Sequence, residues 1–388
     1  MSAPRLSTAF TFLGIAAKDV LRPPRSVLAA PPPDAPSRES ALREALDWLR
    51  RAQDASGCGG VSKNYILGKG WNAPYPETTG YIIPTFLDGA ARSADPDFRE
   101  RAIRMGDWEL SVQASNGGIQ EGTWSPAGPH HAPIVFNTGM VLKGFVRLFE
   151  ATGEERFRAG AARAGEFLLE RQDPDGAWRR DTYQGIAHTY HTRVAWSLLL
   201  LDRIAPDPRL RDAASRHLDW VVSTQRENGF FDQAHFFPDR LPNTHAIAYT
   251  LRGLVEGHLI LGNEAWLESA VRGAVPVRRE FERLGHLPGV YRPDWSVAAA
   301  FDCLTALAQH AIVWYRLEAI RGDAAWGLAA DRALDYLCLL QDRVATHPGV
   351  RGGIKGSHPV WGSYAPFQFP NWAVKFFADA MMIRLGRS

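Results

Sequence analysis

Acid, base and aromatic residues gather in this chain where polar stretches give way to apolar ones. Glu77 lies in YPETTGY, Asn137 in FNTGM, His191 and Arg193 in YHTRVAW, Asn243 and His245 in NTHAIAY, and Trp372 in FPNWAVK. The polar stretches ahead of them hold Trp71 and Tyr75, Glu121 and Trp124, His130 and His131, Asp181, Tyr183, His188 and Tyr190, Asp232 and His235, and Trp361 and Tyr364. Six of the twelve His residues fall in these places, a clustering that scattered surface histidines do not produce. Two chemistries fit. Proton abstraction beside a carbonyl or carboxyl group, the first expectation, takes His188, Tyr190, His191 and His245 as base and acid, with Arg193 holding the substrate anion. Hydrolysis by paired carboxylates takes Glu77, Glu121, Asp181 and Asp232. In either case Trp71, Trp124, Trp178, Trp361 and Trp372 offer faces for a sugar ring to stack on. Tyr75, His131, Asn137, His235, Asn243 and Tyr364 complete the substrate-binding set. Trp178 suits packing between repeats better, and any single His also serves as a satisfied structural residue.

Other chemistries lack their residues. HTYH at 188–191 has the i, i+3 spacing of a zinc pair, but no Glu stands between and no third ligand follows. Cys58, Cys303 and Cys338 have no metal-ligand spacing, so neither metal nor other cofactor is expected. GKGW at 68–71 lacks the spacing of a phosphate loop, and G-x-S-x-G is absent. A net charge of +2 gives no reason to expect nucleic acid or an acidic membrane surface. No apolar run reaches about 18 residues, so no membrane insertion is expected. The short apolar stretch Phe10 to Ala17 lacks a charged leader and is followed by Lys18 and Asp19, which argues against a signal peptide. Three cysteines, an odd number, fit a reduced compartment, and a cytoplasmic location is expected.

The elements that must position these residues are set by a repeat. An aromatic residue with Gln five positions on recurs as Trp48/Gln53, Trp108/Gln113, Phe167/Gln172, Trp220/Gln225 and Tyr336/Gln341, and four of these Gln have Gly four positions further (Gly57, Gly117, Gly176, Gly229). The one double gap holds a degenerate copy, Val277/Glu282, at its midpoint. Six units of about 55–60 residues result. Each reads as a helical hairpin. The charged first helices are Ser37–Asp54, Asp97–Ala114, Glu155–Asp173, Asp207–Gln225, Glu264–Glu282 and Ala324–Asp342. The apolar second helices are Thr78–Ala91, Thr138–Ala151, Thr192–Ile204, Thr244–Leu261, Cys303–Ile320 and Asn371–Leu385. Helices apolar nearly all round are buried, so six charged outer helices enclose six apolar inner ones. The fold class is all-α, an (α/α)6 toroid of six helical hairpins over residues 37–388. Residues 1–36 form an N-terminal segment, with a surface helix at Leu6–Leu21 and a Pro-rich linker. Gly153, Gly262 and Gly322 read as helix ends, and Thr78, Thr138, Thr192 and Thr244 as helix N-caps. The inner-helix N-termini face one mouth, where their free N–H groups suit polar or anionic ligands.

This pattern resembles the superfamily of six-hairpin toroids: glycoside hydrolases, polysaccharide lyases and sugar epimerases. NTHAIAYTLRGLVEG at 243–257 looks like inner-helix sequence of the epimerase-like members. QDPDGAW at 172–178 resembles the Gln…Asp-Gly…Trp motif of terpene cyclase toroids. The resemblance implies an enzyme acting on an oligo- or polysaccharide, with uronate-containing saccharide as the expected partner. The terpene reading lacks its acid: Asp-x-Asp-Asp is absent, and Asp95/Asp97 and Asp173/Asp175 sit in turn-forming contexts. A non-catalytic glycan-binding subunit is the reading from another class; it binds saccharide and is indifferent to substitution of Glu77 or His191.

Overall fold

The computed structural model describes residues 14–21, 34–128 and 131–386. Twelve long helices alternate in two rings. The outer ring is α1 (Ala35–Ser56), α3 (Pro96–Val112), α5 (Glu155–Arg171), α7 (Pro208–Ser223), α9 (Glu264–Leu284) and α11 (Ala324–Leu340). The inner ring is α2 (Pro76–Ser93), α4 (Val135–Thr152), α6 (Thr192–Ile204), α8 (Thr244–Leu261), α10 (Leu304–Arg321) and α12 (Asn371–Leu385). Each inner helix packs on the inner helix at either side, and α12 returns to α2, so the ring is closed. Outer helices bury one stripe. Inner helices are buried on every face for most of their length, as in α6, where Thr192 through Asp202 are all buried. Strands are short and lie in the connections. β1 (Asn64–Ile66) pairs antiparallel with β2 (Gly70–Trp71) and with β5 (Gln368–Pro370), and β3 (Asp302–Cys303) pairs with β4 (Ser357–His358).

The repeated Gln explains the ring. Its side-chain N–H donors reach a carbonyl of its own loop and one on the next outer helix. Gln113 bonds Gly117 and Gly160, Gln172 bonds Gly176 and Ala213, and Gln225 bonds Gly229 and Ser269. Gln341 bonds Gly352 and, across the seam, Ala41, which ties the sixth unit to the first. The motif Gly makes this approach feasible. Gly117, Gly176, Gly229 and Gly352 hold φ between +78° and +89°, and a Cβ there would lie 2.1–2.5 Å from a carbonyl oxygen of the next outer helix. In the first unit this role falls to Gly59, whose carbonyl accepts from Gln53, and not to Gly57, which caps α1. The degenerate fifth unit joins its neighbour differently: the Tyr336 hydroxyl donates to Asp302, and the Arg278 guanidinium lies 4.2 Å from the Trp326 ring.

One expectation is corrected. The threonines near the inner-helix starts are not N-caps. Thr138 Oγ1 accepts from Ile119 N, Thr79 Oγ1 rather than Thr78 accepts from Val61 N, and Thr244 Oγ1 donates to the Pro288 carbonyl. They lash each loop to its inner helix. The glycine ends hold: Gly153, Gly262 and Gly322 cap α4, α8 and α10 in the left-handed conformation. Within the expected N-terminal helix, residues 14–21 are helical and docked on the toroid, with Asp19 buried against Lys355 and accepting from Val360 N at 2.7 Å. Residues 6–13 and most of the Pro-rich linker lie outside the described residues.

Gly229 and Gly185 both hold positive φ, but only Gly229 faces a backbone oxygen, that of Arg272 at 2.2 Å from a built Cβ, whereas nothing lies within 4 Å at Gly185. Gly185→Ala is expected to cost about 1 kcal/mol, the left-handed strain alone. Gly229→Ala adds a clash at the seam between repeats and is expected to cost about 3 kcal/mol or more. Paired urea-unfolding curves measure the difference.

Candidate functional site

The inner-helix N-termini and the loops before them form a funnel of half-buried polar and aromatic side chains: Lys63, Tyr75, Glu77, Glu121, Tyr364 and Trp372. Glu77 stands in the first turn of α2, directly after Pro76, with the Tyr75 hydroxyl bonded to its carboxylate. A helix N-terminus, Tyr75, Lys63 and Arg193 all favour the anion. Burial outweighs them and pushes the carboxyl from 4.5 up to about 7. Glu77 is therefore substantially protonated at neutral pH. Asn137 lies within hydrogen-bonding reach of Tyr75, and Glu121 is near enough to act on it electrostatically. The Lys63 ammonium sits 4.8 Å from the Tyr75 ring centre.

His245 opens α8 on the far side of the funnel. Its ring packs 4.4 Å from Tyr249 and 5.4 Å from Tyr364, whose hydroxyl accepts from Trp372. Burial, with Arg193 and His310 nearby, drives its pKa down to about 3, so the imidazole is neutral. Its Nδ1 meets the side-chain amide of Gln309, and the orientation of that amide selects which ring nitrogen carries the proton. Beneath both groups, Phe136, Tyr249, Phe376 and Tyr81 meet ring to ring at 5.4–5.8 Å and floor the funnel.

Other sequence candidates lie elsewhere. His191 is fully buried among Phe136, Trp178 and His217, without a hydrogen-bond partner on either ring nitrogen, and belongs to the core. His188 is buried between the carbonyls of His235 and Tyr183, at 2.9 and 2.7 Å, and ties two loops together; burial lowers it to about 4. Tyr190 stacks on that ring at 4.5 Å, is itself buried, and has its pKa raised. Asp181 and Asp232 turn outward, to Arg171 at 2.8 Å and Arg226 at 2.6 Å. Trp71 packs on Trp48, Trp124 on Trp108, and Trp178 is sealed in the core. Trp361 and His131 are exposed and His235 and Asn243 half-buried on the rim, while Asn137 is buried with its amide on the Gln120 carbonyl. His130 lies outside the described residues.

Arg193 is displaced most. The sequence aligns Thr192 with Thr244, but a 3-10 turn, Thr189–His191, precedes α6 and delivers it deeper. Thr192 Oγ1 bonds the carbonyls of Tyr249 and Thr250, more than a turn into α8. Arg193 consequently lies below the aromatic floor, within 4.7–5.6 Å of the Tyr249, Phe376 and Trp196 rings, and lines a cavity of about 590 Å3 that opens at the opposite end of the barrel. This cavity is thus not at the predicted mouth. Sequence reasoning missed Lys63 and Tyr249 at the mouth, and Gln309, which meets His245 and also lines the lower cavity; the spacing of Tyr249 and Gln309 into apolar helices marked them only as core.

With this geometry in view, the comparisons with known proteins fall in two groups. A family model described as the squalene-hopene cyclase C-terminal domain matches residues 119–256. The squalene–hopene cyclase of Zymomonas mobilis subsp. mobilis is 26% identical over 215 residues, which is 49% of this chain and 31% of the cyclase. The match therefore spans about a third of that relative. Among solved structures, cellobiose 2-epimerase from Bacillus thermoamylovorans B4167 superposes with a TM-score of 0.72 at 12% identity, covering 91% of this chain and 98% of its own. An unsaturated glucuronyl hydrolase specific for heparin gives 0.69 at 16%, covering 90% and 97%. The unsaturated glucuronyl hydrolase of Bacillus sp. GL1 gives 0.65 at 18%, also over 90% and 97%. The chain is an (α/α)6 toroid. The cyclase match includes Gln172, Gly176 and Gln225, whose bonds here hold one repeat to the next.

Because Glu77 is held above the 4.5 of an exposed carboxyl, the folded protein binds its proton more tightly than the unfolded chain. Its contribution to stability is full below pH 4.5 and is lost as pH rises through about 7. Glu77→Gln is expected to match the parent below pH 4.5 and to exceed it by up to about 3 kcal/mol at pH 8, read from urea unfolding across pH.

Proposed function

We propose that this protein is a carbohydrate-active enzyme working at the inner-helix N-terminal mouth by general acid–base catalysis, with hydrolysis of a glycosidic bond as its reaction. One observation carries the reading: Glu77 is a half-buried carboxyl, pushed up to about 7 and bonded to Tyr75, in the first turn of α2 among the polar side chains of the mouth. An acid with that pKa stays protonated near neutrality yet gives up its proton readily. In the proposed step Glu77 protonates the glycosidic oxygen as its bond to the anomeric carbon breaks. Glu121, the second carboxyl beside Tyr75, takes a proton from the water that attacks that carbon. Trp372 and Tyr364 form a hydrogen-bonded aromatic pair against which a sugar ring packs, and Lys63 offers a cation to a uronate carboxylate. The resemblance to glucuronyl hydrolases and an epimerase supports a saccharide substrate, and it does so through the fold alone.

Proton abstraction is retained as a second reading because of His245, a neutral imidazole at the same mouth with Tyr249 and Tyr364 beside it. The histidine set expected for that chemistry has shrunk to this one ring, and Arg193 stands below the floor. A terpene substrate finds no Asp-x-Asp-Asp acid here.

Incubation with uronate-containing and neutral oligosaccharides in deuterated water, read by mass spectrometry, tests the proposal. Cleavage with solvent water added and no carbon-bound deuterium is expected, with turnover falling at least 100-fold in Glu77→Gln. Carbon-bound deuterium that disappears in His245→Ala would transfer the assignment to proton abstraction. Saccharide binding without turnover, unaffected by Glu77→Gln, would make the protein a glycan-binding subunit.

A further inference from the structure

The cavity at the opposite end of the barrel is lined by seven basic side chains against four carboxylates. Its inner part is a cluster of cations around two rings. The Lys143 Nζ lies 3.7 Å from the Trp196 ring centre, and the Arg252 and Arg193 guanidinium carbons lie 5.4 and 5.6 Å from the same centre. Lys375 Nζ and Arg193 approach the Phe376 ring at 4.5 and 5.5 Å. Two of the four cations are balanced: Lys375 pairs with Asp379 and Arg252 with Glu256 at 2.7 Å. Lys143 and Arg193 have no carboxylate within ion-pair distance among the described residues. Arg193 is 3% exposed, and its Nε and one terminal nitrogen have no hydrogen-bond partner.

An aromatic face offsets only part of the cost of burying a cation. Two unbalanced cations beside two balanced ones repel each other in a medium that screens poorly. Lys143 registers that repulsion: burial, followed by Arg193, Lys375 and Arg252, drives its pKa well below the ordinary lysine value. Charges placed so in a cavity open to solvent are what an anionic ligand would complete. The outer part of the cavity adds apolar side chains, Leu200, Ile260, Ile312 and Met382, so a ligand there has an apolar portion to cover.

We infer that this cavity is a second ligand site, separate from the mouth that carries Glu77, and that it binds a small organic molecule through a phosphate-like dianion seated between Lys143 and Arg193. Arg193 supplies the guanidinium fork suited to such an oxyanion. Gln309 lines this cavity and also meets His245, and the Arg193 charge reaches Glu77, so the two ends of the barrel are electrostatically linked; phosphate binding is nonetheless read directly, without the reaction proposed at the mouth.

The test is calorimetric titration and thermal unfolding of the whole chain with inorganic phosphate and with butyl phosphate, against sodium chloride at matched ionic strength. Phosphate is expected to bind with a dissociation constant below about 1 mM and to raise Tm where chloride does not. Butyl phosphate is expected to bind at least tenfold tighter, through the apolar rim. Lys143→Met is expected to raise the Tm of the unliganded protein and to weaken phosphate at least tenfold; Arg193→Gln is expected to weaken it likewise. Equal responses to phosphate and chloride, or phosphate affinity unchanged in both variants, would overturn the proposal. A Lys143→Met protein less stable than its parent with phosphate binding intact would assign Lys143 a structural role and overturn it equally.

Discussion

The side-chain amide of the repeated Gln is the interaction on which the rest of the molecule depends. One residue satisfies a carbonyl of its own loop and a carbonyl of the neighbouring unit. Such a bond contributes roughly 1 kcal/mol, small against the apolar surface that the helices bury. Its importance is geometric. It sets the spacing between successive outer helices, and the adjoining positive-φ glycines let backbone approach backbone there. With that spacing fixed around the circle, six inner helices converge on one axis, and every polar side chain on an axial stripe is forced into company with the others.

The axis is therefore divided by chemistry. Above an aromatic floor lie Glu77, Tyr75 and His245, groups whose protonation is set chiefly by burial. Below it lie the cations around Trp196 and Phe376. Both halves hold arrangements that disfavour the folded state taken alone: a carboxyl denied water above, unbalanced ammonium and guanidinium groups below. The hydrophobic rings on either side, of which Trp48, Phe145, Trp178 and Trp314 are fully buried members, make such arrangements tolerable.

The two-ring architecture is readable from the chain because its determinants are local and periodic: an amide reaching a carbonyl of its own loop, a glycine permitting the turn, and a glycine ending three of the inner helices. The candidate site was less readable for a reason visible in single residues. His188 bridges two carbonyls, and His191 sits unpartnered in the core; the ring that makes histidine an acid–base catalyst also makes it a good loop tie and a good packing group. Asp181 and Asp232 occur in the loops as expected, but arginines draw them outward. Arg193 lies below the floor rather than at the mouth because a single 3-10 turn shifts α6 along the axis, and no periodicity records such a shift. Glu77 stands out in the sequence because a carboxyl one residue into a helix is conspicuous, though its altered acidity follows only from the enclosure that the complete ring provides.

The seam between the first and last units has a consequence for assembly. Gln341 closes the circle on Ala41, three hundred residues earlier, and α12 covers both α1 and α2. While the chain emerges from the ribosome, the early hairpins can stack on one another, but the first keeps an uncovered apolar flank until the last has been made. Joining two ends so far apart in sequence carries the loop entropy of the whole domain, and contacts of that range form slowly. Before the last hairpin is made, the stacked hairpins are necessarily an open arc with an uncovered apolar edge at each end. That edge, rather than any part of the finished surface, is where neighbouring nascent chains would pair by mistake.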